Sequence, residues 1–321
     1  MEIKVNVSDC EFIEYVSTLI TKGSNICVIY SSISDDIKKI IDRSFRAFYL
    51  DCKTIFSKKL ADSKILDENV RCVLCIGEDE CVFVSEYIAN KFALPLYVFS
   101  SHFSTLHLSG ECVLFDDIYK AFVGKIPCVY YAKKVDSEIL FCEFFSKGTA
   151  LLDYYITGIL WQQDINYDLF RRLLKLFIST IKKLLDNFNL SSFNSILLNA
   201  SVEFISFFPT LFGGEEGMSL FLLSLKNAPL KNIHQYLYLS SCKLCSFYYK
   251  ILSRKIKYFI PPVNNNLHYE KIALSLDYFG LNSFIHLLSI YNDLPDDKVS
   301  LYYAYNNEIL STTKNIYKLY Y

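Results

Sequence analysis

The stretch Val73-Leu-Cys-Ile-Gly-Glu-Asp-Glu-Cys-Val-Phe-Val-Ser-Glu-Tyr-Ile-Ala89 sets the frame for the chain. Its apolar start reads as a strand, Gly77 ends the strand, and from Val82 the apolar residues return at helical spacing. Strand, glycine, helix is the order in which α/β folds place a turn that cradles phosphate at a helix N-terminus. Here the turn reads Gly77-Glu78-Asp79-Glu80. Carboxylates repel phosphate, each costing on the order of 1 kcal/mol or more when partly screened. At a helix N-terminus they stabilise the dipole by roughly 0.3–1 kcal/mol each. Capping the helix is the simpler reading of these acids.

The same alternation extends to both sides of this stretch. Helical spacing covers Cys10–Thr21, Asp35–Arg43 and Val82–Phe92, and short apolar strands are expected at Asn25–Tyr30, Phe48–Leu50, Val70–Ile76 and Pro95–Phe99. Strands separated by helices imply a parallel sheet covered on both faces. Leu106–Val129 reads as a β-rich connector, with candidate strands at Glu111–Phe115 and Cys128–Tyr131. From about Ser137 the spacing is helical almost throughout, in segments such as Leu140–Trp161, Tyr167–Phe188, Leu190–Phe208, Gly217–Leu225, Ile233–Leu252, His268–Phe279 and Leu281–Leu288. The expected architecture is an α/β, Rossmann-like domain over residues 1–135 and an all-α domain over 136–321.

With 321 residues the chain can bury a sizeable core, and 52% hydrophobic against 21% charged residues argues against disorder. A net charge of −1 gives no electrostatic footprint for nucleic acid or anionic membrane. No run reaches the roughly 20 apolar residues of a membrane helix, and the N-terminus lacks a signal-peptide pattern, so a cytoplasmic protein is expected. Two CxxC spacings occur among 11 cysteines. Cys72 and Cys75 lie on a strand, where positions three apart face opposite ways, and Cys242 and Cys245 lie on an expected helix. Buried thiols are the favoured reading over a zinc site. Arg254-Lys-Ile-Lys257 reads as a helix end, and the aromatic C-terminal stretch as a packed last helix.

An α/β half followed by a helical half resembles the superfamily of dehydroquinate synthase, the iron-containing alcohol dehydrogenases, glycerol dehydrogenase and glycerol-1-phosphate dehydrogenase. The segment IGEDECVFVSEYIANKFALPLYVFSS follows that superfamily's cofactor frame, with Gly77 surviving from its glycine turn, Phe83 where an Asp is expected and Glu86 where a Lys is expected. The resemblance implies that Gly77 and Ser100 lie near an NAD(P) cofactor. His102, in the loop that follows, is a candidate catalytic residue, although a lone loop histidine is more often an ordinary polar one.

The family's metal ligands are an Asp and two His. CEFFSKGTALLDYYITG is similar to the segment that carries the Asp, which implies Glu143 as ligand, or Asp153 on a shifted register. FFPTLFGGEEGMSLFL is similar to the next ligand segment but has Gly217 where the His belongs, with Glu215 and Glu216 beside it as substitutes. KNIHQYLYL then supplies His234 as the other ligand. The implied ion is a divalent metal, Zn, Fe or Mn.

Two readings follow from the resemblance. One is an NAD(P)- and metal-dependent oxidoreductase of polyols or their phosphates, most like glycerol-1-phosphate dehydrogenase and glycerol dehydrogenase, acting on a small-molecule substrate. The other is a catalytically inactive relative that persists as a binding or assembly module. Homo-oligomers are the expected assembly in either case.

Overall fold

The computed structural model describes residues 1–63, 69–160, 166–186, 190–207, 227–238 and 240–241. Six parallel strands form the main sheet in the order β1-β8-β5-β4-β2-β3: β1 Glu2–Val5, β2 Asn25–Tyr30, β3 Arg46–Asp51, β4 Cys72–Gly77, β5 Leu96–Ser100 and β8 Val129–Ala132. Helices α1 (Asp9–Leu19), α2 (Asp35–Ser44), α3 (Cys52–Ile55), α4 (Lys58–Ser63) and α5 (Asp79–Lys91) lie between strands in sequence. Strands β6 (Glu111–Asp116) and β7 (Ile118–Val123) form a separate antiparallel hairpin. Every described element from Ser137 onward is helical: α6 Ser137–Leu160, α7 Tyr167–Asp186, α8 Leu190–Phe207, and a 3-10 turn at Leu230–Asn232 leading into helical residues 233–238.

The α/β reading of the N-terminal part therefore holds, with β1, α3, α4 and β7 as elements that were not expected. β1 was not expected, because four residues alternating charged and apolar carry little signal of their own. It forms because it pairs with β8, Glu2 opposite Val129 through Val5 opposite Ala132. The stretch 106–129 is β-rich as expected, with β6 and β8 at the candidate strands Glu111–Phe115 and Cys128–Tyr131. It contains the hairpin, and its far end enters β8, a strand flanked on both sides within the main sheet.

Local chemistry fixes the helix starts. Ser8 and Glu11 form a reciprocal capping box on α1, and Ser34 caps α2. Phe12, Ile13 and Val16 of α1 are fully buried, with Phe12 stacked on Phe99 at 5.5 Å and tilted on Tyr131 at 5.6 Å. Each such side chain is worth roughly 1.5–3 kcal/mol on burial. α5 differs from its neighbours in being buried nearly all round, from Asp79 and Cys81 through Phe83 and Glu86 to Ala89. Two carboxylates thus lie inside the protein on one helix.

Of the described residues, 1–144, 180–207 and 227–235 form one compact unit, and 145–179 with 236–241 a second. Among the described residues no helix is long and apolar enough to cross a membrane. The expected helices at 217–225, 268–279 and 281–288, the pair Cys242 and Cys245, the cluster 254–257 and the C-terminal stretch lie outside the described residues.

Candidate functional site

In the first compact unit, β4, β5 and β8 end side by side, with Gly77 opposite Ser100 and Ser100 opposite Ala132. The carboxyl edge of a parallel sheet is where such folds build their sites. Asp79, the first residue of α5, sits at this edge and is 3% exposed. Its carboxylate is ringed by three imidazoles. His107 Nε2 lies 3.0 Å from Oδ1, His234 Nε2 lies 3.0 Å from Oδ2, and His102 Nε2 lies 3.2 Å from each oxygen. The chain has five histidines, so three of them converge on one carboxylate.

The network continues on both sides. His107 Nδ1 is 3.2 Å from Glu86 Oε1, two helical turns along α5 from Asp79. Phe83, between them on the same helix face, packs on the His107 ring at 4.7 Å. His234 Nδ1 is 3.0 Å from Glu143 Oε1, yet the ring nitrogen has no hydrogen-bond partner of acceptable angle. The distance marks a charge contact. Glu143, near the start of α6, is held firmly: Ser104 Oγ, Thr105 N and Thr105 Oγ1 each donate to it at 2.6 Å. The result is a buried line of alternating acid and imidazole, Glu86–His107–Asp79–His234–Glu143.

The loop carrying His102 and His107 is fastened from below. Ser100 Oγ donates to His102 O at 2.5 Å, Ser104 N donates to Tyr130 Oη at 2.9 Å, and Ser101 N donates to Gly77 O at 3.1 Å.

Burial and charge pull the acidities in opposite directions here. Burial raises the Asp79 pKa, but the hydrogen bonds from His102, His107 and His234 prevail and hold it well below the ordinary carboxylate range. Glu143 is lowered against burial by His234, Ser104 and Thr105. Burial disfavours the charged imidazoles, yet Glu86 and Asp79 raise His107 to about 10, and Asp79 and Glu143 raise His234 to about 10. Glu86, with one oxygen unpartnered, is raised by burial to about 7. Near neutral pH Asp79 and Glu143 are therefore anions, His107 and His234 are held as imidazolium ions, and Glu86 is partly protonated.

The residues expected from the sequence fall in this region, with varied roles. Glu143 and His234 are brought together. Gly77 and Ser100 are register partners at the sheet edge, but both are used internally. A Cβ on Gly77 would meet Ser31 Oγ at 2.6 Å and Cys81 Cβ at 2.7 Å, so close strand–helix packing accounts for the glycine. Gly77→Ala should destabilise the protein by roughly 1–3 kcal/mol in urea unfolding; a cost near zero would mean that Ser31 and Cys81 give way freely. Ser100 fastens the histidine loop. Gly217, Glu215 and Glu216 lie outside the described residues, as does the side chain of Asp153. Cys75, of the first CxxC pair, packs with Cys81 at 3.6 Å as a free buried thiol.

Asp79 and His107 were missed as site residues, and His102 was set aside as an ordinary polar residue. Asp79 was read as a helix-capping acid. It does lie in the first turn, but its carboxylate is directed inward.

A metal ion is compatible with these donors. One oxygen of Asp79 and one nitrogen each of His102 and His234 lie within 4.8 Å of one another, and two nitrogens with a carboxylate suit zinc-like ions. A dinucleotide fits poorly. The imidazole nitrogens around the α5 N-terminus are directed at carboxylates, the Cβ side of Gly77 is filled, and Glu78 and Glu80 flank the turn.

No protein-family model matches the sequence, and no curated protein is significantly similar to it. Solved structures do share its fold. Glycerol dehydrogenase from Schizosaccharomyces pombe aligns with a TM-score of 0.51 at 11% identity, over 79% of this chain and 72% of that one. A probable glycerol dehydrogenase from Sinorhizobium meliloti 1021 aligns at 0.51 and 9%, over 87% and 81%. An iron-containing alcohol dehydrogenase aligns at 0.50 and 13%, over 90% and 84%. At such identities the likeness is one of fold: the chain has the fold of the iron-containing alcohol and glycerol dehydrogenases.

Proposed function

We propose that this chain is a relative of the polyol dehydrogenases that no longer transfers hydride with a dinucleotide and instead serves as a binding or assembly module built on that fold. One observation carries the reading. The positive end of α5, where the resemblance implies that a cofactor pyrophosphate would rest, already holds an internal anion, the Asp79 carboxylate, together with the imidazoles that surround it. A pyrophosphate arriving there would find few free donors and the acids Glu78 and Glu80 beside it.

A second reading, an NAD(P)- and metal-dependent polyol oxidoreductase, is favoured by the approach of His234 to Glu143, the pair implied by the resemblance as metal ligands. A bound divalent ion would polarise a substrate carbonyl oxygen. In this reading Glu143 and His234 hold the ion, and Ser100 steadies the loop beside it.

Thermal unfolding of the full chain with NADH, NADPH and added Zn²⁺, Fe²⁺ or Mn²⁺ separates the two. A ligand at 100 times its Kd stabilises by about 2.7 kcal/mol, a shift of a few degrees. We expect no shift with either dinucleotide at millimolar concentration, with or without metal. A saturable shift accompanied by oxidation of glycerol or glycerol phosphate would establish the second reading instead.

A further inference from the structure

We propose that Asp79, His102 and His234 form a binding site for a zinc-like divalent ion, distinct from the Glu143-centred set that the resemblance implies. The inference is independent of whether the chain binds a dinucleotide.

The geometry is the first argument. Tetrahedral zinc with bonds of about 2.0–2.2 Å sets its donors roughly 3.4 Å apart. His102 Nε2 and His234 Nε2 already lie 3.2 and 3.0 Å from the Asp79 oxygens, and the three donor atoms fall within 4.8 Å of one another. Small side-chain rotations would close the set around an ion, which would replace the imidazole–carboxylate hydrogen bonds now made.

The surroundings are the second argument. Histidines that bind metals donate their other ring N–H to an oxygen acceptor, most often a carboxylate, a backbone carbonyl or water. His102 Nδ1 lies 3.2 Å from Ser101 Oγ, and His234 Nδ1 lies 3.0 Å from Glu143 Oε1. The His234 nitrogen is buried and lacks a well-angled hydrogen bond, so a small ring rotation on ligation can improve its contact with Glu143. Glu143 is held in place by Ser104 and Thr105 and keeps an acceptor position on Oε1, which suits it to backing His234. His107 holds the carboxylate of Asp79 from the opposite direction and is itself held by Glu86. His102 is the most exposed of the three proposed ligands, its side chain 15% accessible against 4% for the other two, so ion and outer ligand have their access along its edge.

Two imidazoles and one carboxylate favour zinc, cobalt and iron(II) over magnesium or calcium, which prefer oxygen donors throughout. The full chain, stripped of metal by dialysis against a chelator, is titrated with zinc chloride against a chromophoric competitor and, separately, with cobalt chloride. We expect one zinc per chain, and strong visible bands of tetrahedral cobalt without the near-ultraviolet thiolate charge-transfer band. His102→Ala should weaken zinc binding at least about 100-fold, since losing even the partner of a ligand histidine costs about 10–100-fold. Ser101→Ala should weaken it by about 10-fold and leaves all three ligands in place. Failure to bind zinc, a thiolate band from the cysteines, or undiminished binding by both variants would each overturn the assignment. The cobalt spectrum of the unaltered chain separates imidazole and carboxylate donors from thiolates even where a variant does not fold.

Discussion

Asp79→Ala should cost the metal-free protein roughly 3–5 kcal/mol at neutral pH, the price of removing one partner from a buried ionic network. Three imidazoles lose their common acceptor, and two of them, His107 and His234, owe part of their proton affinity to it. Without the carboxylate, burial acts on these rings against only Glu86 on one side and Glu143 on the other. They must then remain charged at a higher energy or give up their protons. α5 also loses an acid in its first turn, about 0.3–1 kcal/mol more. Glu78 is exposed, so Glu78→Ala should stay within about 0.5 kcal/mol of the parent. Asp79→Asn should fall between the two, because its amide keeps one acceptor oxygen and the side-chain volume. Urea unfolding at constant m reads all three. Equal costs for Asp79→Ala and Glu78→Ala would mean that the histidine ring is not an energetic unit.

How much of this was legible in the sequence depends on the range of the forces involved. The strand–helix alternation is local, and it located β2 through β5 with α2 and α5 between them, but not the short α3 and α4. β1 was invisible because its stability is supplied by β8, more than 120 residues away. In α5 a usable signal was present: Asp79 and Glu86 are spaced for one face of a helix whose remaining residues are largely apolar, and a buried acid needs a partner. Candidate partners were also present, because His102 and His107 follow β5 in a chain with few histidines. What no local pattern supplies is the direction in which the Asp79 side chain turns. As a capping acid it would point to solvent. It points inward because β5, adjacent to β4 in the sheet, brings the histidine loop beneath it, and His234 arrives from 155 residues away. Glu143 and His234 were reached only through the family resemblance; their spacing of 91 positions carries no signal by itself.

Stability should fall as pH rises from about 6.5 to 8.5, in the presence of a chelator that removes metal. The sign follows from the imidazoles. His107 and His234 have folded pKa values raised to about 10 against an ordinary 6.5. Below 6.5 both states hold these protons and the favourable interaction is fully present. Above 6.5 the unfolded chain releases them while the folded chain keeps them, so the unfolded state gains relative stability until the folded pKa is passed. Glu86, raised to about 7, acts in the same direction at the start of this range. Asp79 and Glu143 are lowered, so their contribution is complete across it and is lost only in acid. Two protons over two pH units set a ceiling of about 5 kcal/mol, and roughly 2–4 kcal/mol is the expected loss once relaxation is allowed for. Unfolded thiols begin to ionise near the top of this range while Cys27 and Cys72, each pushed by burial up to about 12, stay protonated in the fold and add to the fall, so the imidazole share is read as the difference between the parent and His107→Phe. The measurement is a series of urea unfolding curves at pH 6.5, 7.5 and 8.5, repeated with His107→Phe, which removes one of the two titrating rings and should remove about half of the slope. A flat profile for the parent would show that the two rings are neutral in the folded state, and the line from Glu86 to Glu143 would then be held by neutral hydrogen bonds alone.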